Sequence, residues 1–377
     1  MYEIKNTTVL RAVQQYSRTF RMKLVFENKR TIYGDHIGET VIEHIMSEDD
    51  GIPIGQVISK RVEITLYSDV PIRKGDGFSL YIYLMNLSGN PLSPLYGMTH
   101  EELSEFTNEE ISSLSTDRIA LRGEYIPMGE FIVAKVTRNG REVKVIAYDR
   151  LYSDKPFKRR INGSVGSSQL IDIILKEMGI TRRIVPEAGA IISSDDEIVY
   201  DCNGEIIIAA DEYEFEISEI PKGATCRELL GYIAAISGRN GILDRSGAYT
   251  TIFISNERDA IDVNKIDSPS LAESNVKIAG IRCNSGETVL EVGNPDDSYG
   301  VEIDCPFMTS ERLSEIWQEL SQFTWRPAEI YERVADPRRE LGDIILIGDY
   351  IIPITSLIYH FDGGLAADLS ACGQIEN

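Results

Sequence analysis

The chain has 377 residues, 42 % hydrophobic and 26 % charged, the proportions of a globular protein with length for two or three domains, each with its own core. Its net charge of −22 argues against duplex binding by phosphate neutralisation, which needs clustered Lys and Arg. Apolar runs such as 344–348 and 351–354 fall far short of the ~20 residues of a membrane span. The opening Met1-Tyr2-Glu3-Ile4-Lys5 lacks the apolar core of a signal peptide, so synthesis and retention in a cytoplasm, without stable membrane insertion, are expected.

Residues 20–26 alternate apolar and polar as a half-buried strand, and 60–67 repeat the pattern with Val62, Ile64 and Leu66 on one face. Residues 78–84 follow, with Tyr81 and Tyr83 suited to a pleated surface. A polar insertion near 86–122 carries Thr99-His100-Glu101-Glu102, a capping-box pattern before a short acidic helix, and is expected at a rim or as a lid. A long hairpin comes next. It climbs from Met128-Gly129-Glu130 to Val136, turns at Asn139-Gly140, and descends with Val143, Val145 and Ala147 facing one way.

The composition changes near Ser153. Ser167 is a candidate cap for a helix with Leu170, Ile171, Ile174, Leu175 and Met178 on one face and Gly179 as its stop. From 184 to 221 there is no Lys or Arg while acidic residues accumulate, and 284–310 repeats that bias. Thr225-Cys226-Arg227-Glu228 is a second capping box, opening a helix that buries Leu229, Leu230, Ile233 and Ala234 and ends at Gly238. A strand, a turn through Gly247 and another strand are expected over 241–253.

The last third begins near Ile261. Strands are expected near 276–283, 288–292 and 301–303, then a helix capped by Thr309 with Leu313, Ile316, Trp317 and Leu320 in helical spacing. Phe323 and Trp325 extend that face, and 328–334 returns to strand. The closing hairpin is read as climbing from Gly348-Asp349 through Tyr350-Ile351-Ile352-Pro353-Ile354 and turning at Asp362-Gly363-Gly364. It descends with Leu365, Ala367, Leu369 and Ala371 on one face. Both hairpins enter on a Gly-acid pair and reverse on residues that tolerate positive φ, a shared grammar that suggests internal duplication. The expected class is mainly β, α+β overall. Its division is a first unit over 1–152, a smaller α+β unit over 153–260, and a second β unit over 261–377 with one helix near 310–323.

No constellation of residues assigns a catalytic, cofactor-binding or metal-ligating role. His36, His44, His100 and His360 form no two-histidine metal motif and read as surface or turn residues. Cys202, Cys226, Cys283, Cys305 and Cys372 are scattered and read as reduced, buried residues. Gly163-Ser164-Val165-Gly166-Ser167-Ser168 lacks the ending of a phosphate-cradling loop and the spacing of a nucleophile elbow. Asn294-Pro295-Asp296-Asp297 lacks the alternating oxygen donors of a calcium loop and reads as a turn. The nearest basic candidates, Lys155, Lys158, Arg159 and Arg160 with Arg182 and Arg183, read as a solvated loop. Trp317 fits core packing, whereas Trp325, beyond the helix, fits either the core or an interface that could stack sugars.

Three stretches together resemble the bacteriophage tail-tip or baseplate hub family, which includes the N-terminal part of tail-associated lysins. They are 124–133 with Ala147-Tyr148-Asp149, 225–238 with Asp244-Arg245-Ser246-Gly247, and Asp336-Pro337-Arg338-Arg339-Glu340-Leu341-Gly342-Asp343 with Asp362-Gly363-Gly364. The resemblance implies two tail-tube-like β-barrel domains around the smaller α+β unit, and a homotrimeric ring that continues the tail tube, non-enzymatic and without cofactors. It also implies a place in a virion tail tip or a phage-tail-like bacteriocin. Implied partners are a tube or distal tail protein, a tape measure protein and a spike, fibre or tip protein, with any DNA passing through the lumen without specific binding. Many relatives carry an appended hydrolase or receptor-binding module. This chain stops at Asn377, just after the closing strand, so the hub alone is expected. The alternatives are a tail-associated wall-degrading enzyme and a carbohydrate-binding module.

Overall fold

The computed structural model describes residues 10, 13, 19–46, 51–85, 125–159, 163–185, 190–193, 215–254 and 258–375. The insertion near 86–122, His100, Arg160, Cys202 and most of the acidic stretch after 184 lie outside them.

Seven strands build the first part of the chain: β1 (Thr19–Phe26), β2 (Thr31–Tyr33), β3 (Ile37–Ile45), β4 (Lys60–Tyr67), β5 (Gly77–Met85), β6 (Ile126–Asn139) and β7 (Glu142–Tyr148). Period-two alternation decides their facing. Val62, Ile64 and Leu66 of β4 lie beside Ala147, Val145 and Val143 of β7 respectively, all fully buried. Each such side chain contributes ~1.5–3 kcal/mol by leaving water. The β6–β7 hairpin turns at Gly140, whose φ of +61° suits the expected positive-φ position.

The strand order is β2-β1-β5-β6-β7-β4-β3, and it continues without a break through Ser356–Phe361, Leu365–Ala371, Ala328–Glu332 and Ser270–Leu271. One eleven-stranded sheet therefore takes its strands from both ends of the chain. Two separate barrels were the expectation; among the described residues the pairing closes none. The physical reason is that β3 and Ser356–Phe361 satisfy each other's edges over six residue pairs, Ile45 with Ser356 through Thr40 with Phe361.

The second hairpin also differs from its reading. Its turn at 362–364 and its descending arm stand, with Leu365, Ala367, Leu369 and Ala371 buried. Its climbing arm is Ser356–Phe361, however, and Tyr350–Pro353 pairs back on Ile344–Ile347 through a tight turn at Gly348, φ +59°. The two Gly-acid pairs thus do different work: Gly348-Asp349 is a hairpin turn, whereas Gly129 sits at a bulge inside β6, φ +144°.

The middle of the chain supplies α1 (Ser167–Met178) and α2 (Cys226–Ile236), packed face to face over Leu151, Leu170, Ile174, Leu229 and Leu230. The expected apolar faces are buried, and Gly179 ends α1 in the left-handed region. Ser167 is not the cap. Gly166 holds that position, and Ser167 Oγ instead accepts from the Phe215 N–H at 3.3 Å. The Thr225 capping box forms as expected, with Glu228 N–H donating to Thr225 Oγ1 (3.1 Å) and Thr225 N–H to Glu228 Oε2 (2.7 Å). In the last third, α3 (Ser310–Leu320) is capped by Thr309 and buries Leu313, Ile316 and Leu320. Trp325 is a core residue, 1 % exposed, its indole N–H donating to the Cys372 carbonyl at 2.8 Å. That position removes it as a sugar-stacking surface.

A buried ionic junction as the candidate functional site

Three elements meet over the inner face of the main sheet, and the sequence marks each. The bulge in β6 follows from Pro127-Met128-Gly129. Leu80 pairs with Gly129 and Tyr81 with Pro127, so Met128 is the extra residue. A Cβ on Gly129 would lie 2.9 Å from the Phe131 ring, so close approach and positive φ together require glycine. The second element is the 244–248 turn. The Asp244 carboxylate accepts from the N–H groups of Ser246 (2.9 Å) and Ala248 (2.7 Å), and a Cβ on Gly247 would strike the Glu130 carboxylate. The third is the loop 336–343. Asp336 Oδ1 accepts from Arg338 N–H and Nε, both at 3.0 Å, and Asp343 Oδ2 accepts from Glu340 N–H at 2.7 Å.

Arg245 joins the three. Its Nε donates to Glu340 Oε1 at 3.1 Å, and Nη1 lies 3.4 Å from the Pro127 carbonyl and 3.5 Å from Met128 Sδ. The same guanidinium donates to the Pro337 and Arg339 carbonyls. Arg339 in turn forms a two-point pair with Glu332, Nε to Oε2 at 3.0 Å and Nη2 to Oε1 at 3.2 Å, with both side chains almost completely buried. The Tyr359 hydroxyl lies 2.8 Å from the Asp336 carbonyl and 3.0 Å from that of Arg339, which fixes the loop to the sheet.

The sheet beneath presents two basic side chains here. His44 of β3 and Lys60 of β4 stand directly opposite each other and point inward, 5 % and 6 % exposed. Burial, then the charges of Lys60 and Arg245, holds the His44 imidazole well below its ordinary pKa. Burial also lowers Lys60, against the pull of Glu340. Asp149, at the end of β7, accepts from the Lys60 N–H (2.8 Å) and the Leu151 N–H (3.0 Å). Desolvation nonetheless pushes its carboxyl up to about 6.

Chemically, the arrangement fixes chain segments to one another. Its arginine forks and backbone carbonyls are engaged inside the protein, and breaking a buried pair strands a charge. Parts of the three stretches that carry the resemblance meet here, Pro127–Phe131, the 244–247 turn and the 336–343 loop, whereas 225–238 and 362–364 lie elsewhere in the fold.

The residues singled out in the sequence are otherwise dispersed. His36 Nδ1 lies 3.0 Å from the Tyr67 carbonyl, and His360 Nε2 pairs with Asp368 at 2.7 Å on the outer face of the sheet. His44, expected at the surface or in a turn, is buried, because it shares the inward phase of Ile42. Cys226, Cys283, Cys305 and Cys372 are free and buried. Among the basic candidates, Lys155 donates to the Glu177 carbonyl and Arg159 pairs with its carboxylate at 3.2 Å. Arg183 is buried against Ser168 and Asp172. Asn294–Asp297 is a turn, with Asp296 bound to Arg282 at 2.8 Å. No group of three potential metal-ligating side chains occurs among the described residues.

Sequence reasoning missed Lys60, Glu332 and Tyr359, and it marked Arg245, Arg339 and Glu340 only as parts of motifs, without a role. The signal was present for Lys60, which falls on the inward phase with Val62, Ile64 and Leu66.

No protein-family model matches the sequence, and comparison with curated proteins finds no match. Solved structures do match over nearly the whole chain. The 43 kDa tail protein of prophage MuSo2 from Shewanella oneidensis aligns with a TM-score of 0.50 and 12 % identity, over 93 % of this chain and 98 % of that one. A tail protein from Neisseria meningitidis MC58 aligns with a TM-score of 0.53 and 8 % identity, over 94 % and 96 %. This chain has the fold of these two tail proteins.

Proposed function

We propose that the protein is a structural component of a phage tail or phage-tail-like particle, acting as a homotrimeric hub at the tail tip. The observation that carries this reading is whole-chain likeness: the fold shared with the two tail proteins accounts for more than nine-tenths of this chain and of theirs. The junction adds support, since segments from each of the stretches that resemble the hub family meet in one buried cluster that ties distant parts of the chain together. Rigidity of that kind suits a part that transmits position between a tube above and a spike or fibre below.

In this reading the first and last strand-rich segments serve as two tube-like units, fused here through β3 and Ser356–Phe361. Three copies form a ring that continues the tail tube. The tape measure protein, a tube or distal tail protein and the tip protein are its neighbours. The negative charge keeps any passing DNA from adhering. With a Debye length of roughly 8 Å, the repulsion acts only near the wall.

Mass photometry of the purified chain with its neighbouring tail proteins tests this directly. A species containing three copies of the 42.2 kDa chain is expected, with no turnover of peptidoglycan. A strictly monomeric chain in the assembled tip, or hydrolysis of peptidoglycan by it, would overturn the proposal.

A further inference from the structure

Two strand edges of opposite charge stand open among the described residues. The first is Thr288–Gly293, six residues long, which pairs with Gly280–Ser285 on one side only. Asn294 N–H donates to the Ala279 carbonyl at 2.8 Å, which sets the alternation along that hairpin. Val289 and Glu291 therefore aim their own N–H and C=O groups at the open side. Val289 is also 55 % exposed, an apolar side chain left on the edge. The ends of the main sheet differ, since its outermost strands have three and two residues, lengths that blunt an edge. The second open edge is the tip of β6. β5 pairs with β6 only as far as Ile132, and Val133 bonds to the 75–76 turn. From Lys135 to Asn139 only β7 lies alongside. Charge separates the two edges. The β6–β7 tip carries Lys135, Arg138, Arg141 and Lys144 against Glu142, whereas Glu287, Glu291, Asp296, Asp297 and Glu302 surround the other edge against Arg282. Like charges keep each edge from pairing with its own kind, and unlike charges fit the two to each other.

Resting on the homotrimer reading, we propose that the β6–β7 tip of one copy adds to the 288–293 edge of the next. A contact between two different patches of one chain is head-to-tail, and in a ring each copy gives its tip to one neighbour and its edge to the other. Main-chain hydrogen bonds along the paired edges hold the strands together, and the basic tip meeting the acidic rim sets which strand is accepted. The contact covers Val289 and closes an edge that otherwise invites indiscriminate strand addition.

The test is mass photometry of full-length variants assembled with the neighbouring tail proteins. Glu287→Lys with Glu291→Lys reverses the edge and leaves Arg282 its Asp296 and Glu302 partners. Lys135→Glu with Arg141→Glu reverses the tip. Each pair alone is expected to lose the three-copy species, and the chain carrying all four changes is expected to regain it. Three copies in either two-residue variant overturn the inference and leave the trimer reading standing. An unmodified chain that never reaches three overturns that reading, and the inference with it. Where a variant does not fold, carbodiimide cross-linking of the unmodified protein decides, with ¹⁴N- and ¹⁵N-labelled chains mixed before assembly. Mixed-isotope links from Lys135 or Lys144 to Glu287, Glu291 or Asp297 are expected. Three-copy assemblies without such links refute the contact.

Discussion

Two arginines in the last third of the chain show how context sets the worth of a charge. Arg282 stands on the surface among three carboxylates, Glu291 at 2.6 Å, Asp296 at 2.8 Å and Glu302 at 3.4 Å. Arg339 lies in the junction, its two-point partner Glu332 and the more exposed Asp259 beside it. By number of contacts the first looks stronger. In energy the order reverses, because water and salt screen Arg282, whereas nothing replaces Glu332 once it is removed.

The largest effect should therefore come from breaking the Glu332–Arg339 pair. Glu332→Ala is expected to cost about 3–5 kcal/mol in denaturant unfolding, by leaving a buried guanidinium without its main partner. The double replacement Glu332→Leu with Arg339→Met should recover most of that loss. If the single variant costs no more than a surface change, the contrast with Arg282 fails.

Acid offers a second way to sharpen the contrast. The folded-state pKa of His44 lies well below its unfolded value of 6.5, so its neutral form contributes stability above pH 6.5 that is lost as pH falls toward the folded pKa. Asp149, raised to about 6, works in the opposite direction: it favours the folded state as pH falls from 6 toward 3.8. Comparing His44→Leu with the unmodified protein cancels the Asp149 contribution. Between pH 6.5 and 5 the unmodified protein should lose at most about 2 kcal/mol more than the variant. Parallel pH profiles would place His44 in water.

A smaller effect is expected at the α2 cap. Thr225→Ala should cost about 1 kcal/mol, and Thr225→Ser much less, since the hydroxyl is what receives the Glu228 N–H. Smallest of all, Arg282→Ala should leave the unfolding midpoint unchanged at physiological salt. A shift that persists at high salt would mean that this patch is buried against something.

Much of the fold was legible because it rests on local rules. Alternation gave β1, β4 and β5, helical spacing gave α1, α2 and α3, and Asn139-Gly140 and Asp362-Gly363-Gly364 marked two turns. What failed was pairing. Nothing in the period of 350–354 says which strand it joins, and Gly348-Asp349, read as the start of a strand, was itself a two-residue hairpin signal. The join between β3 and Ser356–Phe361 crosses about three hundred residues and leaves no local trace. The junction was half legible. Its motifs stood out, Arg245 among them, yet their role depends on Lys60, Glu332 and Tyr359, which lie outside those motifs.

Electron cryo-microscopy of the intact particle tests the proposed role most directly. The account requires three copies of this fold around the tail axis, at the lower end of the tube. A map that places one copy off the axis, or none in the tail, would contradict it.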